Sequence, residues 1–160
     1  MDNKSRQTAI KILTEHLESN KLRKTPERFA VLDAVYSFSG HFRFDELNAH
    51  LEKENFRVSR ATLYNTLKLF ADLRLVIVHR LLGETFYEAG FAHDVHSYQV
   101  CTICGKVKAF QLPQLANVLK EAKLPRFHKD GMVTYFYGVC STCRAKLSRQ
   151  KRNSDNKTNK

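Results

Sequence analysis

Four cysteines fall in two C-x-x-C pairs, Cys101 with Cys104 and Cys140 with Cys143, and none is left over. A C-x-x-C turn lets two thiolates reach one ion, and two such turns complete a tetrahedral site of four sulfurs. Zinc suits that donor set, because it is redox-inert and its thiolates lose their protons on binding. Two disulfides, a rubredoxin-like iron centre and inert buried thiols are the competing uses. In a chain kept in the reducing cytosol, paired C-x-x-C points to metal before disulfide. The 35 residues between Cys104 and Cys140 exceed zinc-finger spacing, so spacing alone does not show that the pairs share one ion. A dithiol oxidoreductase needs its C-x-x-C at a helix start, after a strand. Here Cys104 runs into Gly105-Lys106-Val107, a turn and a strand, and that chemistry fails on context.

The second chemical signal is charge. The chain carries a formal net charge of +11, which favours polyanionic partners. From Arg144 to Lys160 there are seven Lys/Arg against one acidic residue. Residues 148–160 read as a basic disordered tail, either a solubilising end or a non-specific phosphate-binding arm. A hydrophobic share of 42% excludes a disordered chain. Apolar runs such as Leu73–Val78 fall far short of a bilayer span, and MDNKSRQTAIK lacks the apolar stretch of a secretory signal. A cytoplasmic protein without membrane contact is expected.

The elements that must position these residues follow from periodicity. Ala9, Ile10, Ile12, Leu13 and Leu17 stripe a helix over about 5–19. Thr25-Pro26-Glu27 opens a second helix that ends at Ser39-Gly40. A third covers Phe44–Asn55 with Leu47 and Leu51 inward, and a fourth starts at Ser59 as N-cap. The period then changes to that of strands, in Val76–Leu81 and Thr85–Glu88 around a Gly83-Glu84 turn. Helices followed by such a hairpin make a winged helix-turn-helix over residues 1–88, with the helix after Ser59 as recognition helix. Residues 89–96 read as a hinge. Beyond it Tyr98–Cys101, Lys106–Phe110 and Met132–Val139 read as strands and Pro113–Lys123 as a helix. This unit, residues 97–147, is too small to stand without a staple or a partner. The fold class is therefore α+β, a winged helix plus a small C-terminal α/β unit carrying the four cysteines.

In the recognition helix Ala61, Leu63 and Leu67 are placed inward, while Arg60, Thr62, Tyr64, Asn65 and Lys68 look outward. Asparagine can read adenine bidentately, Thr and Tyr can touch thymine methyls or phosphates, and Arg and Lys hold phosphates. Arg23 and Arg28 are suited to the DNA backbone or minor groove.

Several of these segments together resemble the ferric uptake regulator family. Arg23-Lys24-Thr25-Pro26-Glu27-Arg28 is similar to its R-x-T-x-x-R opening, and Ala61-Thr62-Leu63-Tyr64 to its A-T-V-Y. Cys101-x-x-Cys104-Gly105 and Tyr135-Phe136-Tyr137-Gly138-Val139-Cys140-x-x-Cys143 look like its zinc-bearing dimerisation domain. The resemblance implies a homodimeric transcriptional repressor on an AT-rich pseudo-palindromic operator, acting in metal, iron or haem homeostasis. It also implies a regulatory metal, Fe2+, Mn2+ or Zn2+, that bridges two domains and favours the DNA-binding form. Of that site's five donors His41, Glu88 and His96 match, whereas Tyr98 and Ala109 stand at the other two positions. His93 is close enough to join the reduced set, and haem is a further effector compatible with His and Tyr side chains. His16, His50 and His79 read as ordinary polar side chains.

Two other classes compete. A basic architectural protein would coat DNA without operator preference. An enzyme has no support, since no Ser-His-Asp order, phosphate-binding Gly loop or open zinc triad stands out.

Overall fold

A computed structural model describes residues 3–90, 95–129 and 132–158. The chain divides into two compact units, residues 1–94 and 95–160. No helix among the described residues is long and apolar enough to cross a membrane.

Unit 1 carries α1 (Asn3–Ser19), α2 (Pro26–Ser37), α3 (Phe44–Lys53) and α4 (Arg60–Asp72) ahead of the hairpin β1 (Val76–Leu81) and β2 (Glu84–Ala89). Its core is built by helical spacing. Ala9, Leu13 and Leu17 of α1 are fully buried, as are Leu63 and Phe70 of α4, one face in each case. Helix α2 buries Val31, Leu32, Ala34, Val35 and Tyr36, a spread wider than one stripe, because α1, α3, α4 and β2 all pack against it. The Tyr36 hydroxyl lies 2.9 Å from the Gly90 carbonyl and 3.2 Å from that of Leu75, and burial pushes its pKa up. That contact ties α2 to the base of the wing, where a Cβ on Gly90 would meet the Arg74 carbonyl at 2.8 Å.

Two expectations for this unit need correction. Ala61 is exposed, and Thr66, 4% exposed, takes the inner position. The buried line of α4 is Leu63, Thr66, Leu67 and Phe70, the spacing of one helix face. The hairpin loop is Leu82-Gly83, with Glu84 already in β2. Both loop residues are left-handed, at φ 52° and 83°, which suits a two-residue turn whose twist matches the strands. A further bridge, Phe42 to Tyr87, adds a third short segment to the wing, with both N–H···O bonds at 2.8 Å.

Unit 2 is a three-stranded sheet in the order β4-β3-β5, from β3 (Val95–Cys101), β4 (Val107–Phe110) and β5 (Met132–Gly138), with α5 (Pro113–Glu121) connecting β4 to β5. Strand β3 pairs antiparallel with β4 and parallel with β5. The loop after α5 folds back so that Lys129 Nζ donates to the carbonyls of Leu119, Lys120 and Ala122, satisfying the orphan C-terminal groups of the helix. With β2 reaching Ala89 and β3 starting at Val95, only 90–94 of the expected hinge lies between strands, and 91–94 fall outside the described residues. Residues 148–160 were expected to be disordered, but α6 (Ser141–Thr158) runs through most of them. Its sequence holds Lys, Arg, Gln and Ala without Gly or Pro, so helix propensity prevails over the polar composition.

Candidate metal centre and nucleic-acid interface

The thiols of Cys101, Cys104, Cys140 and Cys143 all lie within 4.8 Å of one another, and among the described residues this is the only such group of three or more donors. The register explains how pairs so far apart in sequence meet. Strands β3 and β5 run parallel with Cys101 opposite Gly138, so both chain segments leave the sheet at the same end. The first pair then turns over Gly105, at φ 69°, whose N–H donates to the Cys101 carbonyl. The second pair straddles the start of α6. Cys104 and Cys140 sulfurs are 3.9 Å apart, close to the edge of about 3.8 Å expected for a tetrahedron of Zn–S bonds.

The electrostatics suit a cation. The Cys140 N–H, 3.4 Å from Cys101 Sγ, is the main cause pulling that thiol down to about 6, with the N–H groups of Cys104 and Ile103 adding to it. Cys143 is pushed up to about 12, first by its contact with Cys140 and then by Cys104 and by burial. The cluster thus biases one sulfur toward the thiolate and another toward the thiol, and a bound cation would favour the thiolate at both. The cluster is compatible with a structural zinc site, and Cys101 and Cys143 are buried where such an ion would be screened from water.

On α4 the outward residues are in place. Tyr64 is 59% exposed, and Thr62, Asn65 and Lys68 are exposed beside it. Ser59 caps the helix, its hydroxyl accepting from the Thr62 N–H at 3.0 Å. Arg60 is also exposed, where it pairs with Asp45 at 2.9 Å and lies over the Phe44 ring, both residues of α3. Arg28 donates to the Arg23 carbonyl at 2.7 Å, bracing the turn before α2. Arg28, Thr62 and Asn65 line one groove between the starts of α2 and α4, together with Arg57. The sequence reading missed Arg57, which no periodic signal marks because it precedes the cap.

The regulatory set is less complete. His41 borders the wing, its ring edge-on to Phe86 at 5.5 Å. Glu88 sits on β2 with Oε2 3.2 Å from His79 Nε2. His79, expected as an ordinary polar side chain, is 2% exposed and partners Glu88. His93 lies outside the described residues, as does the side chain of His96, whose backbone is in β3. Tyr98 and Ala109 face each other across β3 and β4. Tyr98 is buried and stacks on Tyr135 at 5.7 Å.

A winged helix followed by a four-thiol α/β unit is the architecture of a metal-linked, DNA-binding transcription regulator. The sequence pattern of the ferric uptake regulator family matches residues 19–131. The chain belongs to that family, whose members are DNA-binding transcription regulators and not enzymes. It is 31% identical over 134 residues to the peroxide-responsive repressor PerR of Staphylococcus saprophyticus, covering 81% of this chain and 88% of that one. It is 33% identical over 129 residues to PerR of Staphylococcus aureus, covering 78% and 84%. Among solved structures, the fold matches the ferric uptake regulator of Helicobacter pylori with a TM-score of 0.65 at 22% identity, over 87% of this chain and 93% of that one. The Vibrio cholerae regulator gives a TM-score of 0.57 at 26% identity, over 79% and 98%.

Proposed function

We propose that the chain is a homodimeric, sequence-specific repressor that binds an AT-rich pseudo-palindromic operator and answers to a transition metal through a reduced donor set. The observation that carries the dimer is the apolar surface of unit 2. Helix α5 buries no residue, and Val118, Leu124, Phe127, Val133, Phe136 and Tyr137 are all more than a third exposed. So much apolar surface on so small a unit calls for a second copy to cover it. Each copy then presents one α4, with Thr62, Tyr64 and Asn65 reading base edges and Arg23, Arg28, Arg60 and Lys68 on phosphates. Two copies related by a twofold axis require an operator with matching symmetry. Repression is favoured by the likeness to the staphylococcal peroxide-responsive repressors.

Cys101, Cys104, Cys140 and Cys143 hold structural zinc in this reading, and His41, Glu88, His96 and His93 hold Fe2+, Mn2+ or Zn2+ as effector. The wing register supports the second site. The Phe42–Tyr87 bridge carries His41 opposite Glu88 on one face, so two of its donors are neighbours in unit 1. Metal acts by binding the DNA-competent arrangement more tightly than any other, which shifts the population toward it. With Tyr98 and Ala109 in place of two donors, this effector binds less tightly than it would to a full set.

Selection from a pool of random duplexes tests the claim. The zinc-loaded protein with Mn2+ should enrich a two-part AT-rich site with inverted half-sites, retained against a large excess of mixed-sequence DNA. A pool that emerges without enrichment would instead establish an architectural DNA-coating protein.

A further inference from the structure

The groove between the starts of α2 and α4 holds polar groups that neither the core nor base reading employs. From α4 it takes Thr62 and Thr66, one turn apart on one face, whereas Tyr64 and Lys68 lie outside it. Thr25, Glu27 and Arg28 line it from the start of α2, and Arg57 lines it from the segment before the α4 cap. Thr66 is 4% exposed, yet among the described residues its hydroxyl meets no hydrogen-bond partner. Arg57 is exposed, and among the described residues its guanidinium makes no ion pair or hydrogen bond. Thr25 makes no side-chain cap to α2, which leaves its hydroxyl open to the groove as well. Arg28 is braced on the Arg23 carbonyl through one nitrogen and keeps its remaining N–H groups. Glu27 is the one acid among the described residues that line the groove, so the two guanidinium groups leave it net positive. A buried hydroxyl without a partner is costly, and beside a free guanidinium it marks a place made for an acceptor.

We propose that this groove seats one phosphate of the DNA backbone, with Arg57 as its cation and Thr66 as a hydroxyl donor. The inference rests on the reading of α4 as the helix that meets DNA. A phosphodiester offers acceptors alone and one negative charge, which suits free N–H and O–H donors. Base edges in the major groove mix donors with acceptors and fit such a set less well. The planar guanidinium fork can hold two phosphate oxygens at once. Because the groove lies to one side of Tyr64, a phosphate held there fixes how α4 lies on the duplex and carries no sequence information. Arg57 therefore anchors the helix, and the choice of bases falls to other side chains.

Titration of the zinc-loaded full-length chain onto a mixed-sequence duplex and onto the selected operator, each over a range of salt, tests the seat. Arg57→Gln should weaken both duplexes by the same factor, about tenfold at about 0.1 M salt. It should also reduce the slope of log affinity against log salt by about one. Arg57→Lys should keep the slope, and so should Lys11→Gln, an equal charge change on α1 outside the groove. Thr66→Val keeps the shape and removes the hydroxyl, and should weaken both duplexes about tenfold with the slope intact. Thr66→Ser retains the hydroxyl and should bind as the unsubstituted chain does. An unchanged slope in Arg57→Gln, or an equal fall in Lys11→Gln, overturns the phosphate seat. A loss confined to the operator overturns it too, since Arg57 would then read a base. Native binding by a folded Thr66→Val overturns the seat within the groove, because the buried hydroxyl would go unused. No binding of either duplex by the unsubstituted chain overturns instead the reading of α4 beneath it.

Discussion

Cys104→Ser should leave the chain without its zinc and without its dimer. The substitution is informative because Cys104 is exposed, so removing its sulfur costs almost no packing. Cys101 and Cys143 are buried, and changing either would confound loss of metal with loss of core. Burial in unit 2 is confined, among the described residues, to Ser97, Tyr98, Val100, Cys101 and Cys143. Two of those five are thiols of the cluster itself. So small a core cannot offset the entropy of ordering the sheet, whereas a structural zinc adds binding free energy exceeding the whole stability of a small domain. Metal analysis should fall from about one zinc per chain to background. Sedimentation should show a monomer, and unit 2 should be unfolded at room temperature while the winged helix still melts cooperatively. A zinc-free variant that stayed dimeric and equally stable would contradict the staple.

Tyr64→Ala combined with Asn65→Ala should erase operator preference and spare the fold. Both side chains point away from the line formed by Leu63, Thr66, Leu67 and Phe70, which anchors α4 in the core. Alanine is also a better helix former than either residue replaced, so the helix does not suffer. Base contacts contribute about 1–3 kcal/mol each, so losing two lowers the preference for operator over mixed DNA by about thirtyfold or more. Binding to mixed DNA should persist, because it draws on Arg23, Arg28, Arg60 and Lys68 and on the net charge of +11. Competition titrations at fixed salt measure the ratio. Unchanged selectivity would mean that other side chains on α4 or in the groove beside it, Arg57 among them, do the reading.

Helices α1 and α4 were legible because each turns one apolar face inward, and the Ser59 cap because Ser followed by Thr62 offers its oxygen to a free N–H. What sequence patterns missed depends on tertiary contact. Ala61 and Thr66 are both small, and only the neighbours of α4 decide which is covered. The hairpin loop slipped by one residue because Leu82 adopts a left-handed conformation that leucine seldom announces. His79 looks like any strand histidine until the register sets it diagonal to Glu88. The cysteine cluster was half legible. The types and the C-x-x-C spacing named the chemistry, but the joining of the pairs rests on parallel pairing of β3 with β5, a long-range contact without local signature. The tail misled because a polar, basic composition suits a solvated helix as well as a disordered end.

The proposed function requires two kinds of metal site, one that holds the protein together and one that switches it. Elemental analysis of the purified protein before and after mild chelation, with operator binding measured on each sample, tests it most directly. One zinc per chain that resists the chelator, together with a second ion whose removal weakens operator binding and whose return restores it, is the predicted result. A chelated protein that keeps only its zinc and binds the operator unchanged would contradict the switch and leave a regulator free of metal control.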